Sequence, residues 1–409
     1  MTEYELRKLA IKRYLAGEKP TDIYKTLSRS RNWFYKWLNR YSEHGFVGLK
    51  DQSRQPKNCP NKTNQEIEKT IINIRKSLMA NDTKTNFYAP IGAESILWEL
   101  HKLGIPEKEI PSIATINRII NRNNLVNSTK PNTSRHNIPY PAPEAKGPND
   151  VHQLDPVGPR FLKGVNGVEK FFSLHLVDYY SKMVAMRQYG DTRNLSIIDF
   201  LTKAVWTRLG VPKILQVDNM LSIKGSNKFP RSPGLVIRLC LLFGIEVLFI
   251  PIKEPQRNGV VESFNNTFNK KFFRSQNFDH LDHLKQESLF FEDFYCTKRP
   301  HSKLRINTHG SKIPYEVHMK SNPNLLSNTF DLEVFRVKSK YQIPLHEGKI
   351  SFIRWIDKSC AIEIFSEKFQ VSTKLKYQYV KATIHTKENV LQVTHENEVV
   401  QEIPYYLMD

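Results

Sequence analysis

The sequence predicts a multidomain protein with all-α helix-turn-helix units first, an α/β core in the middle and an all-β small barrel at the C-terminus. Three observations carry this expectation. Apolar residues recur at helical spacing through residue 126, strand-like and helical runs alternate from 150 to 280, and short turn-bounded strands fill 326–409. A chain of 409 residues is also too long for one ordinary core.

Residues 1–60 read as three short helices. In the first, Leu6, Leu9, Ala10 and Tyr14 share a face, and Gly17 ends it. Pro20 and Thr21 open the second, "TDIYKTL", and "SRS" makes a tight turn into "RNWFYKWLNRY". Phe34, Trp37, Leu38 and Tyr41 fall on the inner side of that third helix. Asn32, Tyr35, Lys36 and Asn39 fall on the other, flanked by Arg31 and Arg40. Together with Arg29 in the turn, these are the candidate DNA contacts of a helix-turn-helix. The segment holds 13 basic and 6 acidic residues, which suits a phosphate-rich partner. A small bundle with a solvated basic face is the plain alternative.

Residues 61–126 repeat the idea as a second helix-turn-helix or winged-helix-like domain. "NKTNQEIEKTIINIRKSLMA" turns Ile67, Ile71 and Ile74 inward, and "IGAESILWELHKLG" ends at Gly104. "PSIATINRIINRNNL" opens on Pro111 and Ser112, with Ile116, Ile119 and Ile120 as its apolar face and Arg118 and Arg122 free for DNA. Residues 127–149 hold five prolines and read as a linker, whose Lys130, Arg135 and Lys146 could track a DNA backbone.

Residues 150–280 change character. "DVHQLDPV", "KFFSLHLVDYYS" and "MVAMRQYG" form a strand meander, "SIIDFLTKAVWTRLG" a helix closed by Gly210, and "PKILQVDN" a short strand ending in a carboxylate. "PGLVIRLCLLFG" is helical, "IEVLFIP" a strand, and "NGVVESFNNTFNKKFF" the last helix. This order describes a mixed sheet with helices on its faces, whose ligands gather beyond the strand ends. Residues 281–325 read as a helical and irregular basic extension.

The charge is +20, from 61 Lys and Arg against 41 Asp and Glu, which points to a polyanionic partner. No apolar run approaches the roughly 18 residues of a membrane span. The charged, alternating start is not a secretory signal, so nucleic acid is the expected partner and no membrane. The four cysteines, Cys59, Cys240, Cys296 and Cys360, form no Cys-x-x-Cys pair, which fits a reducing compartment. His280 and His283 lack a cysteine pair, so no zinc site is expected.

Three acids stand where such a sheet could gather them. Asp155 lies in the first strand, Asp218 ends "ILQVD", and Glu262 lies one turn into the last helix. That helix buries Val261, Phe264, Phe268 and Phe272, while Asn265, Asn266 and Asn269 continue a polar stripe from Glu262. Carboxylates without a Cys or Ser nucleophile suit hard divalent cations, which invert the local sign for a phosphate substrate. Singly, each could be a helix-dipole or turn residue. Asp178, Glu246 and Glu254 compete with them.

Residues 151–315 resemble the catalytic core of the DDE transposase and retroviral-integrase superfamily. The resemblance rests on "QLD" at Asp155, "VDYYSK" at 178–182, "GVPKILQVDN" ending at Asp218-Asn219, "PQRNGVVESFN" around Glu262, and "RPHSKLRINTHGSKIPYEV". It implies a ribonuclease-H-like core, with Asp155, Asp218 and Glu262 as catalytic and metal-binding triad and two Mg2+ or Mn2+ ions per site. Asp178 matches a strand residue that is not usually a ligand. The implied activity is that of a bacterial insertion-sequence transposase, cytoplasmic and nucleoid-associated, a homo-oligomer on double-stranded DNA that joins element ends to target. Arg257, Lys270 and Lys271 are candidate phosphate contacts near the site, with a solvated basic face as the plain alternative.

Three departures stand out: Met220 where the family usually has Gly, Pro156 directly after Asp155, and 43 residues between Asp218 and Glu262, a longer spacing than is common. The excess is "SIKGSNKFPRSPG". A DNA-binding regulator with a dead core is the alternative that Met220 keeps open. A ribonuclease H acting on hybrids would need neither end of the chain.

Overall fold

The computed structural model describes residues 1–52, 62–80, 83–126, 138–165, 167–304 and 313–408. Cys59, Lys130, Arg135 and residues 305–312 of the basic extension lie outside them. The chain divides into two compact units, Met1–Lys62 and Thr63–Asp409.

The first unit is α1 (Glu3–Leu15), α2 (Pro20–Thr26) and α3 (Arg31–His44). Thr2 and Glu5 cap α1 reciprocally, and Ser30 caps α3 by accepting from the Trp33 N–H at 3.1 Å. Ala10, Ile23 and Phe34 form one buried cluster, with Ile11, Trp37 and Leu49 as a second. Asn32, Tyr35, Lys36 and Asn39 are all exposed, as the periodicity of α3 requires, and Leu38 and Tyr41 are half-buried.

The second unit begins with α4 (Gln65–Ala80), α5 (Lys84–Tyr88), α6 (Ala93–Lys102) and α7 (Ile113–Arg122). Arg75 clasps the bundle by donating Nη2 to the Leu125 carbonyl at 2.7 Å. The short α5, absent from the periodicity reading, anchors these helices to the rest of the unit. Its Tyr88 ring, 2% exposed, sits among Phe272, Phe291 and Phe294. Gln276 donates to its hydroxyl at 3.3 Å.

The core follows as β1 (Val151–Gly164), β2 (Gly167–Asp178), β3 (Val184–Tyr189), α8 (Asn194–Asp199, continued by a π-helical turn through Val205), β4 (Ile214–Val217) and α9 (Leu221–Lys224). After these come α10 (Leu235–Leu242), β5 (Glu246–Phe249), α11 (Gly259–Phe268, continued by a π-helical turn to Phe273), α12 (Leu281–Thr297) and α13 (Pro314–Met319). The meander β1–β2–β3 is antiparallel, whereas β4 joins β1 in parallel and β5 joins β4 in parallel. The expected mixed sheet is therefore present.

The expected C-terminal small barrel is not what the remaining strands form. These are β6 (Arg336–Val337), β7 (Lys340–Tyr341), β8 (Lys349–Trp355), β9 (Ala361–Ile364), β10 (Glu367–Gln370), β11 (Tyr379–His385), β12 (Val390–His395) and β13 (Glu398–Pro404). Four of them extend the core sheet into nine strands, ordered β13-β12-β11-β8-β5-β4-β1-β2-β3. The reason lies in β5. Without β8 it would be an edge strand carrying the buried Val247 and Phe249. β8 covers that edge in parallel, and Phe352 stacks on Phe249 at 4.8 Å and 10°.

At the far end of β2, Asp178 closes the core. Its carboxylate accepts from the Asn149 N–H at 2.7 Å, and from the Ser181 N–H and hydroxyl at 2.6 Å each. Burial acts to raise its pKa, but His152, Ser181 and His318 outweigh that and hold it below the usual carboxylate range. The stability Asp178 contributes is therefore complete above its unfolded value of about 4 and is lost as pH falls through the lower folded value. Asp178→Asn, which turns an amide N–H2 toward groups that donate, should lower stability by about 3 kcal/mol at neutral pH. Urea unfolding at a series of pH values checks both parts: the deficit should shrink below about pH 4.

Candidate active site

Two buried glutamines prepare the site. Gln153 lies two residues before Asp155 on β1, and Gln216 two before Asp218 on β4. They are direct partners in the parallel ladder, so each side chain shares a face with its acid. Gln153 Oε1 accepts the backbone N–H groups of Val260 and Val261 at 3.1 and 3.2 Å, capping the first turn of α11 from outside the helix. Gln216 Nε2 donates to the Arg257 carbonyl at 3.0 Å and to Asn258 Oδ1 at 3.1 Å, and Asn258 Nδ2 donates to the Leu154 carbonyl at 3.0 Å. All three amides are 3% exposed or less. They fix β1, β4 and α11 together, and so set the stations of Asp155, Asp218 and Glu262.

The three acids are half-buried at one side of the sheet. Burial first, then the Asp218 carboxylate, pushes Asp155 up to about 7. A hydrogen bond from Asn265 opposes this, and Glu262 adds to the rise. Asn265 Nδ2 donates to Asp155 Oδ2 at 2.6 Å. Burial also raises Asp218, against a 3.1 Å hydrogen bond from the Met220 N–H to its Oδ1. The arrangement is open: among the described residues, no three of His, Cys, Asp or Glu stand close enough to enclose an ion. The chemistry of the donor set fits a hard cation nonetheless, being oxygen-only, partly desolvated and mutually repelling.

The competing acids have other partners. Asp178 is capped as described above. Glu246 accepts from Ser351 Oγ at 2.6 Å and pairs with Lys381 at 2.8 Å. Glu254 pairs with Arg257 at 3.0 Å and accepts from the Tyr379 hydroxyl at 2.8 Å. Arg257, expected to meet phosphate, also lies over the Tyr140 ring at 4.0 Å and donates to Tyr379 at 3.1 Å, which makes it a strut to the C-terminal strands.

Met220 is half-buried against the core cluster, and its backbone N–H donates to Asp218 Oδ1 at 3.1 Å. The extra loop is pinched at its base, where a Cβ on Gly234 would fall 2.6 Å from the Ile223 carbonyl oxygen. Arg231 within it pairs with Glu367 of β10 through two contacts of 2.7 Å. Next to Asp218, Asn219 donates to the Ile250 carbonyl at 2.7 Å and accepts from the buried Arg354 of β8 at 2.9 Å. Sequence reading missed Gln153, Gln216 and Arg354. Two Gln-x-Asp runs in apolar strands were the available signal for the glutamines.

The expected DNA contacts fall in separate places. In the first unit, Arg31, Asn32, Tyr35, Lys36 and Asn39 are exposed, Arg29 is paired with Glu3, and Arg40 donates to the Lys50 carbonyl at 3.0 Å. In the second unit Arg118 is exposed, and Arg122 donates to Glu68 at 3.0 Å. Lys270 and Lys271 border a groove of about 380 Å3 beside α11, with Ser263, Thr267 and Arg299. Burial, then Arg299, holds Lys271 below the usual lysine range.

Residues 243–308 match the Integrase core domain family, a span that includes Glu262. Residues 2–50 match a Homeodomain-like domain. The chain is similar to the DDE transposase and integrase superfamily. Solved structures with a likeness to it include the HTLV-2 integrase catalytic core domain in complex with magnesium, 18% identical, covering 43% of this chain and 99% of that one at a TM-score of 0.30. Another is the simian T-cell lymphotropic virus intasome in complex with PP2A regulatory subunit B56 gamma, 16% identical, covering 76% and 96% at 0.34.

Gln153→Leu keeps the volume but strands two buried N–H groups of α11. It should cost about 2 kcal/mol in urea unfolding. Wild-type stability in this variant would show that the α11 cap is not needed.

Proposed function

We propose that this protein is a DNA transposase, a polynucleotidyl transferase that cuts at the ends of a mobile element and joins them to target DNA. The single observation that supports this best is the buried amide frame that ties together the three elements carrying Asp155, Asp218 and Glu262, with the charges of the other two acids bearing on Asp155. A solvated surface acid needs no such frame.

Asp155, Asp218 and Glu262 would hold the divalent cations, Mg2+ or Mn2+, two per site. Such ions, when bound, make an attacking oxygen more acidic and stabilise the leaving oxygen at phosphorus. The protein's own residues do the rest. Asn265 orients Asp155, the Met220 N–H orients Asp218, and Gln153 fixes the turn of α11 that carries Glu262. Lys270, Lys271 and Arg299 place positive charge along the groove beside that helix, suited to a phosphodiester backbone. The exposed face of α3 would read the element end as a helix-turn-helix does. Joining two ends requires more than one copy on DNA. Among the described residues no helix is long and apolar enough to cross a membrane.

The regulator with an inactive core is the weaker reading, because all three acids are present and the Met220 backbone N–H holds Asp218 rather than displacing it. The test uses full-length protein with DNA carrying the genomic element ends and Mg2+. Asp218→Asn should bind ends normally but lose nicking and strand joining on the order of 10³-fold, as should chelation of the wild type. Nicking by the variant at the wild-type rate would defeat the proposal.

A further inference from the structure

We infer that His175 is a positioning residue for the Asp155 carboxylate, acting at the middle of a one-way hydrogen-bond chain. The inference rests on the reading of Asp155 as a cation ligand. The chain starts at Gln188 on β3, whose Oε1 faces the Ser288 hydroxyl at 3.0 Å, a hydroxyl that also lies 2.7 Å from the Lys285 carbonyl. Gln188 Nε2 donates to Ser173 Oγ at 3.2 Å, and Ser173 Oγ lies 2.7 Å from His175 Nε2. His175 Nδ1 lies 2.6 Å from Asn265 Oδ1, and Asn265 Nδ2 donates to Asp155 Oδ2 at 2.6 Å.

Chemistry fixes the direction of each proton from Gln188 to Asp155. An ionised Asp155 can only accept, so Asn265 must turn its amide nitrogen toward it and its oxygen toward His175. That oxygen can only accept, so His175 Nδ1 carries the proton. Nε2 is then the lone-pair side, and the Ser173 hydroxyl must donate to it. Ser173 in turn accepts from Gln188. The ring is held for this role: it is fully buried, with Phe268 and Phe264 edge-on at 4.5 and 5.1 Å. Its register matters as well, since His175 is the direct ladder partner of Asp155. Burial, the largest influence, keeps the ring neutral well into the acid range, at about 4.

The consequence is specific. One N–H, aligned by three further groups, engages Oδ2 and leaves Oδ1 for a cation. Linked hydrogen bonds of one polarity strengthen each other and favour the anionic carboxylate. Loss of a group that orients a metal ligand typically weakens metal binding about 10–100-fold.

The experiment measures Mn2+ binding to full-length protein by the electron-spin-resonance signal of free Mn2+, without DNA or turnover. His175→Phe, which keeps the aromatic contacts, should weaken the Asp155-dependent site by about 10-fold or more. Ser173→Ala, which leaves the ring in place, should weaken it less. Asp155→Asn should remove that site. Equal Mn2+ binding by wild type and Asp155→Asn would overturn the ligand reading and the relay with it. Loss in Asp155→Asn but wild-type binding in both His175→Phe and Ser173→Ala would overturn the relay alone. Nitrogen NMR of 15N-histidine-labelled protein, with His175 assigned by the variant, should show the proton on Nδ1. A proton on Nε2 would also overturn the relay.

Discussion

Everything at the site depends on three buried amides. Gln153, Gln216 and Asn258 sit where β1, β4 and the start of α11 meet, and they bind each element to its neighbours. A buried amide left unpaired is costly, so the network tolerates few other placements of these elements. The acids follow at fixed offsets: two residues on along each strand and four along the helix. Strand periodicity puts both aspartates on the amides' own side of the sheet. The frame is thus rigid and satisfied, while the carboxylates above it are not.

The C-terminal strands reach this frame from the opposite side of the sheet order. β8 lies beside β5, and from it Arg354 crosses to Asn219, the residue after Asp218. Tyr379 of β11 clamps Glu254 and Arg257, the approach to α11. Glu367 of β10 holds the loop that lengthens the interval between Asp218 and Glu262. Three contacts from one C-terminal module therefore brace the loop after β4, the lead-in to α11 and the insertion between them. A separate barrel on a tether could not do this. The module is part of the sheet whose end carries the acids.

How much of this was readable beforehand follows from range. The face of α3, the inward isoleucines of α7 and the β-β-β-α-β-α-β-α order are local patterns, and they appear as expected because 3.6- and 2-residue periods are properties of a single segment. The destination of β8 is not local. An alternating strand looks the same whether it closes a barrel or extends a neighbour's sheet, and only the uncovered edge of β5 decides. Likewise α5 is one short turn with no period to detect, yet Tyr88 on it carries the docking of four helices. Of the candidate site, the three acids are proposed from the motif around them. His175 is not, because its role needs Asn265, 90 positions away, and no spacing in the sequence encodes that pairing.

Asp178 and Asp155 show what separates a structural acid from a candidate ligand. Both lie on the same antiparallel strand pair, Asp155 opposite His175 and Asp178 opposite His152. Asp178 accepts three hydrogen bonds on its two oxygens and has His152 beside it at 3.5 Å, so its charge is spent on holding the fold. Its pKa falls despite burial. Asp155 accepts one, from Asn265, and faces two other carboxylates, so its pKa rises. Asp218 likewise accepts one, and Glu262 accepts none from a described residue. A carboxylate whose lone pairs are all engaged has nothing left for an ion. Asp155 and Asp218 are half-buried and accept one hydrogen bond each, so burial disfavours their charged forms, and at Asp155 the neighbouring carboxylates disfavour it further. In a chain of net charge +20, lysines or arginines could have supplied positive charge, and around Asp178 and Glu246 His152 and Lys381 do sit close to the acids. Around the triad no described cation pairs with any of the three, which leaves the place to protons or to divalent ions.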